Sequence, residues 1–234
     1  MSSPLSKNLG KRKKRTSGNK QQQPWYYKFT QGDPIYTDYM SNEWSHEKQT
    51  DNELFEKLSL EGAQAGLSWR TILHKREAYR CAFHNFDIDK VANMTTSDVD
   101  DLMLIPKDTA KNDMPTVVRH RGKLESVINN AKMIQQLKEN GTITTSFSSY
   151  LWSFVNHKPI LNAWTCIEDI PSKTIESEAM SRELKKAGFK FVGPTTCYSL
   201  MQSCGFVIDH VKGCKEWIEA EKRLKKRKGG YQRR

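Results

Sequence analysis

The residue types best suited to chemistry gather in the first third of the chain. Leu60-Glu61-Gly62-Ala63-Gln64-Ala65-Gly66-Leu67-Ser68-Trp69 sets one carboxylate, Glu61, among apolar and small residues. Upstream, Asp33-Pro34-Ile35-Tyr36-Thr37-Asp38-Tyr39 and Asn42-Glu43-Trp44 bring three aromatic side chains close together. An acid in such company is either a solvated helix residue or a buried group with altered acidity. Such aromatics are more often core than ligand cage. A second candidate is Arg119-His120-Arg121-Gly122-Lys123. Cations at a helix start oppose its dipole and so need another reason to be there. Phosphate binding is one; ion pairing with neighbours is the other. A third is His210-x-x-x-Cys214, whose two side chains can share a helix face. Two ligands do not close a zinc site, and Cys204 or Cys197 would have to contribute. No Ser-His-Asp or Cys-His arrangement and no phosphate-cradling glycine loop stands out.

These groups need a scaffold, and its periodicity is helical. Asp51 can cap a helix whose Leu54, Phe55 and Leu58 share a face. Trp69, Ile72, Leu73, Tyr79 and Phe83 repeat at helical spacing in the next. Ser97-x-x-Asp100 resembles a capping box ahead of Leu102 and Met103. Val118, Leu124, Val127, Ile128, Ala131, Ile134 and Leu137 form a long stripe that Asn140-Gly141 ends. Phe147 to Val155, Ser177 to Ala187 and a segment opened by Gly193-Pro194 read as further helices. No segment alternates long enough to be a strand. The expected class is all-α with six to nine helices, and Pro106 to Pro115 reads as a surface loop.

The chain has 234 residues, enough for a real core, and a formal net charge of +11. That charge lies at the ends. Residues 1–24 carry +7 and residues 217–234 carry +6, which leaves −2 between them. The expected organisation is a disordered basic tail over 1–24, a folded domain over 25–216 and a basic tail over 217–234. The run Gly10-Lys11-Arg12-Lys13-Lys14-Arg15 reads as a nuclear address or a nucleic-acid arm. Lys222 to Lys228 could extend a helix before Gly229-Gly230 stops it. No run of roughly 18 apolar residues is present to span a membrane. Five cysteines without an export signal read as reduced thiols in a cytosolic or nuclear protein.

Across residues 28–214 the chain resembles the DNA-3-methyladenine glycosylase I family. The resemblance rests on Asp33-Pro34-x-Tyr36-x-x-Tyr39, Asn42-Glu43-Trp44, Leu60 to Trp69, Arg119 to Lys123, Trp152-Ser153-Phe154-Val155-Asn156-His157, Gly188 to Gly193 and Cys197 to Gly205. It implies the helix-hairpin-helix glycosylase fold, two helical lobes with a base pocket between them. It implies hydrolysis of the N-glycosidic bond of 3-methyladenine in double-stranded alkylated DNA by a monomer that flips the base out. The alternatives are a non-catalytic DNA-binding scaffold on this fold, or a glycosylase for another alkylated base. The resemblance assigns the catalytic role to Glu61, which with Tyr39 bonds the base edge. It builds the pocket from Tyr36, Tyr39, Trp44 and Trp69, places a wedge at Gly66-Leu67, and sets Arg119, Arg121 and Lys123 near the DNA backbone. Two of the family's zinc-ligand positions fall at Tyr27 and Met40, leaving His210 and Cys214 as orphans. Tyrosine and methionine are poor zinc ligands, so no zinc and no other cofactor is expected. Packing of Trp25, Tyr26 and Tyr27 is expected to hold the terminus instead. The hairpin before Arg119 also departs from the family, with several extra residues and no turn glycine.

Overall fold

A computed structural model describes residues 23–104 and 116–234 of the chain. The Pro106–Pro115 segment and the basic run at 11–15 lie outside the described residues. Within them the structure is helical, in the order α1 (Tyr27–Thr30), α2 (Pro34–Asn42), α3 (Asp51–Gln64), α4 (Trp69–Ala82), α5 (Ile88–Ala92), α6 (Thr96–Leu104), α7 (Arg121–Glu139), α8 (Phe147–Ser153), α9 (Ile175–Lys186), α10 (Pro194–Ser203) and α11 (Lys215–Lys225). The extra helices beyond the expected number include α1 and α5, with four and five residues, too short to show a period.

Local chemistry sets the starts. Thr50, rather than Asp51, caps α3 in a reciprocal capping box with Glu53. Asp51 instead ties helices together: it accepts the Ser148 N–H at 2.8 Å and pairs with Lys138 at 3.1 Å. The box at α6 is likewise shifted, with Asp98 accepting from the Thr95 backbone and hydroxyl rather than Ser97 pairing with Asp100. The His120 side chain caps α7, so the stripe begins at Leu124 and Val118 precedes the helix. Leu124, Ala131 and Ile134 on that stripe are fully buried, as are Leu54 and Phe55 on α3. Each large apolar side chain so buried stabilises the fold by about 1.5–3 kcal/mol. Helix α3 runs through the middle of this core, packed by α4, α7 and α10.

Two features depart from expectation. Three two-residue strands, β1 (Ile160–Leu161), β2 (Val207–Ile208) and β3 (Gln232–Arg233), form a parallel sheet in the order β2-β1-β3. Two residues are too few to alternate, and β1 and β2 are wholly buried. The second departure is the C-terminus, which is not a tail. Trp217, Ala220 and Leu224 bury one face of α11 against Leu161 and Ile208. The Trp217 indole N–H donates to the Asn162 carbonyl at 2.8 Å. Arg223 donates to the Ser45 carbonyl at 3.1 Å, and Arg227 to Glu47 at 3.0 Å. Several of these basic residues fasten the chain end to the domain. Their charge conceals an amphipathic helix whose apolar side consists of few residues.

Candidate active site

The site begins with two helix starts and one helix interior. Asp33 caps α2 by accepting the Tyr36 N–H at 2.9 Å, and Pro34 takes the first helical position, where its missing N–H costs nothing. Three residues apart on α2, Tyr36 and Tyr39 share a face, with ring centroids 6.3 Å apart. Ser68 caps α4 and so fixes Trp69 as its first residue, 5.5 Å from the Tyr39 ring. Glu61 projects from the last turns of α3 and is 5 % exposed. Together these residues line a cleft of about 140 Å3 with Met40, Trp44, Gln64, Ser199 and Gln202. The structure thus brings Glu61, Tyr36, Tyr39, Trp44 and Trp69 into one place.

Burial dominates the electrostatics. It pushes the Glu61 carboxyl up to about 7, against the opposing pull of the Lys57 charge. Burial, with Glu61 close by, pushes the Tyr36 phenol up to about 12 and holds Tyr39 well above its ordinary range. Tyr39 therefore remains a neutral hydroxyl at any physiological pH. Lys57 lies one turn before Glu61 and is buried, its ammonium 4.6 Å over the Tyr39 ring. Its charge is engaged by an ion pair with Glu43, which also takes Arg76 at 2.6 Å. Burial alone would raise the Glu43 carboxyl, but these two cations bring it down to about 2. Lys57 is thus committed to Glu43, and the cleft keeps a buried carboxyl facing aromatic walls.

From Glu61, Gln64 and Ser199 a second hollow of about 200 Å3 leads outward past Ala65, Gly66, Leu67, Thr195 and Thr196. Its rim is the turn joining α3 to α4. The Leu67 N–H donates to the Gln64 carbonyl at 2.6 Å, and Gly66 adopts φ +75°, as the third position of a type II turn requires. This turn holds Leu67 at the surface, 40 % exposed. Gly62 lets α3 approach the loop at Phe191: a Cβ there would stand 3.1 Å from the Phe191 Cβ.

The three cations of the α7 start do not form one patch. Arg121 is exposed and paired with Asp100 and, at 3.5 Å, with Glu125. Arg119 precedes the helix and is half-buried. Lys123 is buried rather than exposed beside them. Its ammonium donates to the Ala63 carbonyl at 2.8 Å and the Ala65 carbonyl at 2.5 Å.

The inherited zinc positions do not fit a metal. Tyr27 is exposed, and its expected packing role falls to Trp25 and Tyr26. Met40 is buried in the aromatic cluster. The His210 ring is enclosed edge-on by Trp25 and Trp44, with centroids 5.8 and 5.0 Å away. The Cys214 sulfur caps α11, accepting the Trp217 N–H at 3.3 Å. A single buried imidazole nitrogen without a partner, Nδ1 of His210, is not a tetrahedral donor set. Among the described residues no group of three or more His, Cys, Asp or Glu gathers as a metal site.

Sequence reasoning missed the support beneath the cleft. The Asp209 carboxylate, fully buried, accepts four hydrogen bonds: Asn162 at 2.7 Å, Trp164 at 2.8 Å, Tyr198 at 2.6 Å and Gln202 at 2.8 Å. Gln202 is thereby held in the cleft wall. Lys57 was also missed, although a lysine one turn from Glu61 on an apolar helix face is a readable signal.

Comparison with known proteins follows the same geometry. The methyladenine glycosylase family matches residues 29–217. DNA-3-methyladenine glycosylase 1 of Escherichia coli (strain K12) is 48 % identical over 182 residues, covering 78 % of this chain and 91 % of that protein. The structure of 3-methyladenine DNA glycosylase I from Staphylococcus aureus superposes with a TM-score of 0.73 at 36 % identity, covering 82 % of this chain and 97 % of that one. A 3-methyladenine DNA glycosylase I solved in complex with 3-methyladenine gives a TM-score of 0.71 at 37 % identity, covering 79 % and 93 %.

Proposed function

Because the chain belongs to the methyladenine glycosylase family, we propose that it removes 3-methyladenine from alkylated double-stranded DNA. The observation that carries this reading is the buried Glu61 carboxyl in a cleft walled by Tyr36, Tyr39, Trp44 and Trp69. Methylation at N3 leaves the adenine cationic and already a good leaving group. Little acid catalysis is then needed; the protein has to extract the nucleotide and hold a charged ring. The ring faces and the Glu61 carboxylate both attract a cation and give a neutral adenine no such advantage. At 4 Å and an effective dielectric near 20, one such charge pair amounts to about 4 kcal/mol, close to a thousandfold in selection. Tyr39, neutral and buried, can donate its hydroxyl to the base edge. The C1′–N9 bond breaks with its electron pair passing to the ring, which cancels the positive charge. Water then takes the base's place at C1′ and releases a proton to solvent.

Leu67, exposed at the end of its turn, supports a wedge role, filling the stack that the flipped nucleotide leaves. Arg119 and Arg121 support backbone contact from the α7 start. The protein acts as a monomer in this reading, and the basic run at 11–15 supports a nuclear address. No helix among the described residues is long and apolar enough to cross a membrane. The aromatic enclosure of His210 supports activity without zinc. The test is incubation of the full chain with a duplex carrying 3-methyladenine, with and without EDTA. Abasic sites that break only on alkali treatment are expected in both. Intact DNA with tight binding would establish a scaffold instead, and loss of activity with EDTA would show that a metal is held.

A further inference from the structure

Lys123 occupies the third position of α7, at the positive end of that helix's dipole. An ammonium there is unfavourable unless something else takes it up. It crosses to the opposite end of α3, where the Ala63 and Ala65 carbonyls lie at 2.8 and 2.5 Å. Those are the last carbonyls of a helix, unsatisfied within it and carrying partial negative charge. Ala65 is the C-cap of α3 and the second residue of the type II turn whose last residue is Leu67. The lysine is 6 % exposed, and its ammonium is taken up by these two carbonyls.

We infer that Lys123 is a positioning residue: it clamps the end of α3 and holds the Leu67 turn, and it does not touch DNA. Two consequences follow from the geometry. The clamp joins the α7 start, which Arg121 and His120 also share, to the turn that supports the wedge. It also fixes the C-terminal end of the helix that carries Glu61. Seating of α7 against DNA is thus linked mechanically to the wedge and the cleft. This inference rests on the wedge reading of Leu67.

The test separates a clamp from a phosphate ligand. For Lys123→Met, single-turnover base release at saturating enzyme is expected to fall at least about tenfold, a loss comparable to one misplaced reacting group. The slope of log affinity for undamaged duplex against log salt is expected to stay at the wild-type value. A slope smaller by about 0.9, the share of one phosphate contact, would overturn the inference whatever the rate does. An unchanged rate would overturn it as well. Lys123→Arg keeps the charge but brings a broad guanidinium into a site shaped for an ammonium. It is expected to fail as the methionine does, whereas a phosphate ligand would tolerate it. If either variant fails to fold, the wild-type chain still decides. The Lys123 ammonium should give a slowly exchanging 15N signal, coupled to the Ala63 or Ala65 carbonyl and unmoved by DNA. A fast-exchanging signal that shifts with DNA contradicts the clamp. The salt slope and this signal remain readable even if the chain releases no base, so failure of the glycosylase reading and failure of the clamp stay distinguishable.

Discussion

Glu61→Gln should abolish most base release and at the same time make the folded protein more stable above neutral pH. The first effect follows from removing the charge that selects a cationic base, a loss of about a hundredfold to a thousandfold in kcat/KM. Affinity for undamaged duplex should be unchanged, since the carboxyl lies inside the cleft. The second effect follows from proton linkage. The Glu61 carboxyl stands at about 7 in the folded chain, against its ordinary value of 4.5. Between those values the folded state keeps a proton that the unfolded state has released. Stability therefore falls as pH rises through that window and stays reduced above 7. Glutamine removes this penalty, which amounts to about 3 kcal/mol. Chemical denaturation at pH 8 should show Glu61→Gln to be more stable than the wild type, and at pH 4 the two should coincide. The kcat/KM of the wild type should rise with pH around 7, where the folded carboxyl loses its proton, while the variant shows no such step. A variant that loses stability along with activity would mean that Glu61 is a structural residue.

Asp209→Asn should be the most destabilising single-atom change near the site. The carboxylate receives four donors, two on each oxygen: Asn162 and Trp164 on one, Tyr198 and Gln202 on the other. An asparagine amide turned either way presents N–H groups to one of those donor pairs. Facing Asn162 and Trp164, the amide opposes an indole N–H that can only donate; facing Tyr198 and Gln202, it requires that hydroxyl and that side-chain amide to turn round and accept. A loss of about 1–3 kcal/mol is expected, a fall of roughly 5 °C in melting temperature for a chain of this size. Gln202 would also be released from its place in the cleft wall, so base release at a permissive temperature should fall too. A melting temperature within about 2 °C of the wild type would show that these bonds contribute little, since it corresponds to less than one such interaction.

How much of this was legible differs by kind of residue. Glu61, Tyr36, Tyr39, Trp44 and Trp69 could be read because each belongs to a short motif, and their helices bring near neighbours in sequence together in space. Asp209 could not be read. Its partners run from Asn162 to Gln202, and no local pattern marks a buried carboxylate. Lys123 reads as a surface cation because composition shows its charge but not the helix end it reaches. The C-terminal segment reads as a tail for a related reason. Its many Lys and Arg residues outweigh Trp217, Ala220 and Leu224 in any composition window, yet those three residues and the 232–233 strand fix it in place. Helix starts were legible to within a residue or two. Thr50 took the place of Asp51, and Thr95 that of Ser97, because neighbouring Ser, Thr and Asp side chains compete for the same cap. Residues 105–115, where a departure from the family hairpin is expected, lie outside those described.

In the proposed function, the aromatic cleft around Glu61 holds a cationic methylated base and releases it from DNA. The most direct measurement is to incubate the full chain with methylated duplex DNA and identify every free base released by mass. Release of 3-methyladenine, lost in Glu61→Gln with DNA affinity intact, is the predicted result. Release of a different alkylated base in its place, or no release while the duplex is still bound, would contradict it.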